Sequence, residues 1–152
     1  MQMYPTKMLR NVCLLGHSGS GKTSLAEAML FLTNATDRLG KIPDGNTVCD
    51  YDPEEIKRGF SLSASFVPLE YRDIKINIMD TPGYFDFEGE VRQCVRVADS
   101  AIIVVDGKTG PEVGTDLAWD YATAVSRIVI RLETDPIVFM ISVVSRVSKS
   151  SS

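Results

Sequence analysis

Gly16-His17-Ser18-Gly19-Ser20-Gly21-Lys22-Thr23 has the spacing of a phosphate-binding loop, with Gly16 opening it and Gly21-Lys22-Thr23 closing it. The run before it, Val12-Cys13-Leu14-Leu15, is apolar enough for a buried strand, and after it Leu25, Ala28, Met29 and Leu32 recur at helical spacing. Strand, glycine-rich turn and helix in that order bring the turn's N–H groups and the positive end of the helix to one point. A multiply charged anion suits that point. The expected cradle is Gly16, His17, Ser18, Gly19, Ser20 and Gly21 with Lys22, Thr23 and Ser24. Lys22 would reach the outer phosphates as a point charge, and the Thr23 hydroxyl would ligate the accompanying magnesium.

The rest of the chain sets bounds on that reading. At 152 residues it is long enough for one domain with a real core, and its hydrophobic fraction of 44% and charged fraction of 24% are ordinary for a globular protein. A net charge of −4 argues against a large basic surface, so no specific DNA binding is expected. No apolar run has bilayer-spanning length, and the start Met1-Gln2-Met3-Tyr4-Pro5-Thr6-Lys7 lacks the apolar segment of a signal peptide. A cytoplasmic monomer with no membrane partner is the expectation. Cys13, Cys49 and Cys94 have no metal-ligand spacing and read as reduced thiols. His17 is the sole histidine, which excludes a multi-histidine zinc site and a Ser/His/Asp triad built on another imidazole.

Beyond the first helix, residues 35–58 lose any clean period, as a functional or disordered loop does. Within it Pro53, followed by Glu54 and Glu55, suits the start of one helical turn. Alternation over residues 61–67 and 74–79, separated by Glu70-Tyr71-Arg72-Asp73, predicts a hairpin. Its second strand runs into Asp80-Thr81-Pro82-Gly83, placing a carboxylate at the sheet edge where α/β proteins bind ligands. Val91, Cys94, Val95 and Ala98 predict a second helix, and residues 101–105 a strand covered on both faces and ending at Asp106. A third helix is predicted to bury Val113, Leu117, Tyr121 and Val125, with Trp119 and Tyr121 as packing residues. Strands alternating with helices predict an α/β, P-loop NTPase-type three-layer fold with a mixed, mostly parallel sheet.

Taken together, the loop from Gly16 to Thr23, the segment ending Arg58-Gly59-Phe60-Ser61, the break Asp80-Thr81-Pro82-Gly83 and the strand ending Val104-Val105-Asp106 closely resemble the GTP-binding domain of translational GTPases. Among these the set is most similar to elongation factor G and elongation-factor-G-like proteins, from about Lys7 to about Val125. The resemblance implies GTP and GDP with Mg2+ as ligands, GTP hydrolysis in translation, and the ribosome as partner. It implies that Asp80 holds magnesium through water, that the Gly83 amide meets the γ-phosphate, and that Ser61 stands where the family has the threonine that closes over magnesium. Thr23, Ser61 and Asp80 are then the metal residues, and Lys22, Gly83 and Tyr84 the catalytic set.

Three departures accompany the resemblance. Tyr84 occupies the position of the family's water-orienting histidine, and a phenol is a poor base at neutral pH. Gly19 stands where the family's loop has an aspartate. The guanine-reading Asn-Lys-x-Asp is absent: the apolar run Pro136-Ile137-Val138-Phe139-Met140-Ile141 is the candidate strand for it, yet Ser142, Val143 and Val144 follow. Residues 1–126 therefore read as a partial GTP-binding domain, and 127–152 as a divergent strand and serine-rich tail, expected to be truncated or frame-shifted and leaving the fold C-terminally incomplete. Two other functions stay open on these residues: a nucleotide-binding fragment with little or no hydrolysis, and a generic P-loop ATPase.

Overall fold

The computed structural model describes residues 4–124 and the backbone of 128–134 and 139–144. Six strands form one sheet: β1 (Leu9–Leu15), β2 (Ser65–Tyr71), β3 (Ile74–Asp80), β4 (Ser100–Asp106), β5 (Ile128–Thr134) and β6 (Phe139–Val144). Their order is β2-β3-β1-β4-β5-β6, with β3, β1, β4 and β5 parallel and the edge strands β2 and β6 antiparallel to their neighbours. The helices are α1 (Lys22–Leu32), α2 (Pro53–Arg58), α3 (Glu88–Val97) and α4 (Val113–Ala124). The sheet is mixed and mostly parallel, as expected from the alternation of elements.

A central parallel strand must be covered on both faces, and β1 shows how. Cys13 and Leu15 join Met79, Ile103, Val105, Val91 and Val95 in the core under α3 and α4. Leu14, pointing the other way, joins Ile78, Val67, Leu69, Ala26 and Leu30 in the core under α1. Register aligns Leu14 with Asp80 and Leu15 with Ile103, so the carboxyl ends of β1, β3 and β4 meet at one edge. That edge carries the loop at residues 16–21.

Two helices present different faces from those the large apolar residues predict. On α1, Ala26, Glu27 and Leu30 are buried, Leu25, Ala28 and Met29 are half-buried, and Leu32 is 78% exposed. The rotation follows from Lys22 and Thr23, both buried at the loop, which fix the helix phase from its first turn. On α4 the buried positions are Gly114, Thr115, Ala118 and Ala122; Val113 is exposed, Leu117 and Tyr121 are half-buried, and Val125 lies outside the described residues. Small residues on that face let the helix lie close to the loop, and a Cβ on Gly114 would come within 2.8 Å of His17. Helix α3 buries Val91, Cys94 and Val95, with Ala98 just beyond its end, as its period predicts.

The hairpin forms, but its first strand starts at Ser65 and not at Ser61. The amides of Leu62 and Ser63 donate to Glu55 Oε1 (2.8 and 3.1 Å) and that of Ala64 to Glu90 Oε2 (3.1 Å), so side-chain carboxylates satisfy them in place of a neighbouring strand. Arg72 and Asp73 close the turn at φ 49° and 64°. Helix α2 starts at Pro53 as predicted, with a capping box between Asp52 and Glu55. The strand beside β4 is β5, ahead of the apolar run at 136–141; residues 139–141 of that run belong to β6, antiparallel to β5, and 136–138 lie outside the described residues. The serine-rich tail also lies outside them. No helix among the described residues is long and apolar enough to cross a membrane.

Candidate nucleotide and metal site

The loop between β1 and α1 holds Gly16, Gly19 and Gly21 at φ 139°, 80° and 96°, a run that only glycine adopts without strain. Lys22 folds back over it, its Nζ donating to the carbonyls of Gly16 (3.1 Å) and His17 (2.8 Å). Burial lowers its pKa to about 8, with the Asp80 carboxylate opposing the shift. The His17 ring leaves the loop toward α4, where Nε2 lies 3.7 Å from Glu112 Oε1. Its side chain therefore serves packing, and any phosphate contact at this position comes from its backbone.

Four oxygen-bearing side chains meet beside Lys22, one from α1, one from the end of β3 and two from the stretch between α1 and β2. Thr23 Oγ1 donates to Asp80 Oδ2 at 2.6 Å, Ser61 Oγ donates to Asp50 Oδ1 at 2.6 Å, and the two hydroxyl oxygens are 3.4 Å apart. Each hydroxyl has one proton; where it is donated to the carboxylate, the oxygen keeps acceptor lone pairs that a cation can use. Asp80 is 1% exposed, and its Oδ1 has no hydrogen-bond partner among the described residues. Burial raises its pKa to about 6, although the Thr23 hydrogen bond and Lys22 both oppose the rise. Burial likewise raises Asp50, against the Ser61 hydrogen bond. Hard oxygen donors, carboxylates strained by desolvation and an unpartnered buried oxygen fit a magnesium ion.

Thr81 Oγ1 donates to the Leu14 carbonyl at 2.6 Å, pinning the Asp80-Thr81-Pro82-Gly83 break to β1. Gly83 then lies so close to the loop that a Cβ there would come 2.6 Å from both Lys22 Nζ and Ser18 Cα. Tyr84 is 43% exposed, its ring 4.6 Å from that of Phe60 and tilted by 58°. A solvent-open cleft of about 490 Å³ runs between Ser18, Lys22, Thr23, Asp50, Ser61 and Gly83.

The structure thus brings together Ser18, Gly19, Gly21, Lys22, Thr23, Ser24, Ser61, Thr81 and Gly83 around one cleft, with Asp80 beneath Thr23. Gly16 lines a neighbouring cavity under Tyr84, bounded by Leu117 and Tyr121, and Ser20 is buried. Asp50 is the site residue that motif reading misses. It sits in an irregular acidic stretch, and only the contact with Ser61 distinguishes it from its neighbours.

Comparison with known proteins bears on the family. Residues 7–140 match the elongation factor Tu GTP binding domain family. The chain is 38% identical over 122 residues to the mitochondrial ribosome-releasing factor 2 of Scheffersomyces stipitis, covering 80% of this chain and 14% of that protein. It is 42% identical over 117 residues to an elongation factor G-like protein of Mycobacterium tuberculosis, covering 77% of this chain and 16% of that one. A crystal structure from Thermus thermophilus superposes with a TM-score of 0.80 at 38% identity, covering 83% of this chain and 19% of its own. The chain therefore spans about a sixth of the length of these curated relatives. With the loop, the Asp80 break and the sheet order in place, the chain belongs to the translational GTPases, in the family of the elongation factor Tu GTP binding domain.

Proposed function

We propose that this domain binds GTP and GDP with Mg2+ and hydrolyses GTP within an elongation factor G-like factor that works on the ribosome. The observation that carries the reading is the meeting of Thr23, Ser61, Asp50 and Asp80 beside Lys22, with one Asp80 oxygen buried and without a hydrogen-bond partner among the described residues. Thr23, Ser61 and, through water, Asp80 would hold the metal. When bound, magnesium neutralises charge on the β- and γ-phosphate oxygens. The chain's own part is positioning. The loop amides orient the phosphates, Lys22 exchanges its two carbonyl partners for phosphate oxygens, and the Gly83 amide stands at the cleft wall.

Guanine preference is supported by family membership. The last asparagine of the sequence is Asn77, so no Asn-Lys-x-Asp follows β4. Slow turnover is the second reading, favoured by Tyr84, which holds its ring against Phe60 where the family has histidine. The test is magnesium-dependent binding of GTP, GDP and ATP to the chain and to Lys22→Ala. Guanine-selective binding that disappears in the variant supports the proposal. Equal binding of ATP and GTP overturns the guanine assignment, and binding indifferent to Lys22 overturns the site.

A further inference from the structure

Glu27 is an acid with no part in the phosphate or metal chemistry, yet it is 0% exposed. It lies on α1 one turn beyond Thr23. Its Oε1 accepts from two successive amides, Val48 N–H at 2.6 Å and Cys49 N–H at 3.1 Å. The other oxygen, Oε2, has no hydrogen-bond partner among the described residues and lies beneath Gly40, where an added Cβ would come within 2.2 Å of it. A glycine at 40 is thus the counterpart of a glutamate at 27. Burial, and then the charges of Asp80 and Glu27, raise the Cys49 thiol, so a neutral S–H stands near the carboxylate.

The residue after Cys49 is Asp50, which accepts from Ser61, whose oxygen meets Thr23 on the same helix as Glu27. The contacts close into a ring: Thr23 and Glu27 on α1, then Val48 and Cys49, Asp50, Ser61, and back to Thr23. Glu55 grips the far side of the segment in the same manner, through Leu62 and Ser63, but it belongs to the segment itself. Glu27 ties Val48 and Cys49 to α1, while the Ser65 hydroxyl at the start of β2 holds the Cys49 carbonyl from the sheet side.

We propose that Glu27 is a positioning residue of the magnesium and nucleotide site: its carboxylate fastens Val48 and Cys49 to α1, and so holds Asp50, and through it Ser61, against Thr23. The proposal rests on the reading of the cleft as a magnesium and nucleotide site. A charged acceptor shared by two buried amides forms stronger bonds than a neutral one, and its removal leaves both donors unsatisfied.

The experiment uses the full chain with Glu27→Ala, Glu27→Gln and Gly40→Ala. Amide hydrogen exchange at Val48 and Cys49 reads the anchor, and the Mg2+ concentration for half-maximal binding of a fluorescent GTP analogue reads its consequence. In Glu27→Ala, exchange at the two amides should quicken about a hundredfold and the Mg2+ requirement rise about tenfold, while binding without Mg2+ changes less than about twofold. Glu27→Gln, which keeps one acceptor oxygen, should restore most of both, and Gly40→Ala should mimic Glu27→Ala. An unchanged Mg2+ requirement in a folded Glu27→Ala, or unchanged exchange at Val48 and Cys49, overturns the proposal. Should Glu27→Ala not fold, Glu27→Gln and Gly40→Ala decide it by the same two readouts. If the parent chain binds no nucleotide, the function proposed above fails; exchange then decides the anchor alone, and the positioning role falls with the site.

Discussion

Thr23 and Asp80 are joined by a 2.6 Å hydrogen bond that ties the first turn of α1 to the end of β3. The bond supplies Asp80 with one donor and leaves its second oxygen without one among the described residues. A carboxylate so placed opposes the stability of the ligand-free fold and serves a bound cation. Asp80→Asn should therefore raise the unfolding free energy by about 1 kcal/mol and lower Mg2+-dependent GTP affinity at least about tenfold. Thermal unfolding and nucleotide titration of the same variant check both.

The pH dependence follows from the same group. With its pKa raised to about 6, Asp80 holds a proton in the folded chain between about pH 4 and pH 6 that the unfolded chain has released. Stability of the ligand-free chain should fall as pH rises through that window, by on the order of 3 kcal/mol, with Asp50 adding in the same direction. Lys22, lowered to about 8, acts oppositely: between about pH 8 and pH 10.5 the folded chain holds fewer protons, and stability should rise. Unfolding midpoints across pH check the signs. Affinity for Mg2+ should strengthen as pH rises from about 4 to about 6, because the metal needs Asp80 ionised.

Gly83 meets backbone as well as side chain. An alanine there would press its Cβ onto Ser18 Cα and N, which cannot swing aside as Lys22 Nζ can. Gly83→Ala should push the break away from the loop and lower the GTP hydrolysis rate at least about tenfold, with the unfolding free energy changed by no more than about 1 kcal/mol. Single-turnover hydrolysis beside a melting curve separates the two.

On the proposed function, Tyr84→His should raise GTP hydrolysis by about tenfold or more, since an imidazole is a better base than a phenol at neutral pH. Phe60 stays in place to pack against the new ring. A Tyr84→Phe variant that hydrolyses GTP as fast as the parent would show that the hydroxyl takes no part.

The loop from Gly16 to Thr23 and the Asp80 break are legible in the sequence because backbone approach and turn geometry constrain residue choice locally. Helix α3 is legible because its buried face is made of large residues, Val91 and Val95, at regular spacing. The faces of α1 and α4 are not. In α4 the buried face is carried by Gly114, Ala118 and Ala122, which make room by their smallness and leave no hydrophobic signal. In α1 it includes Glu27, a charge whose burial is compensated by amides 21 and 22 residues away. Asp50, Glu55 and Glu27 work through partners 7 to 22 residues away, and no periodicity or spacing encodes those. The start of β2 escapes the alternation pattern for the same reason, because Glu55 and Glu90 capture the amides at 62–64.

Lys22 is already held by two carbonyls of its own loop. A free lysine side chain carries about 2 kcal/mol of rotational entropy, and immobilising it is part of the unfavourable side of most phosphate-binding events. In this domain that loss falls on folding. An incoming phosphate meets an ammonium group already aimed along the loop, and the exchange trades two neutral acceptors for charged ones. Association at this cradle should consequently proceed with little delay from the lysine itself.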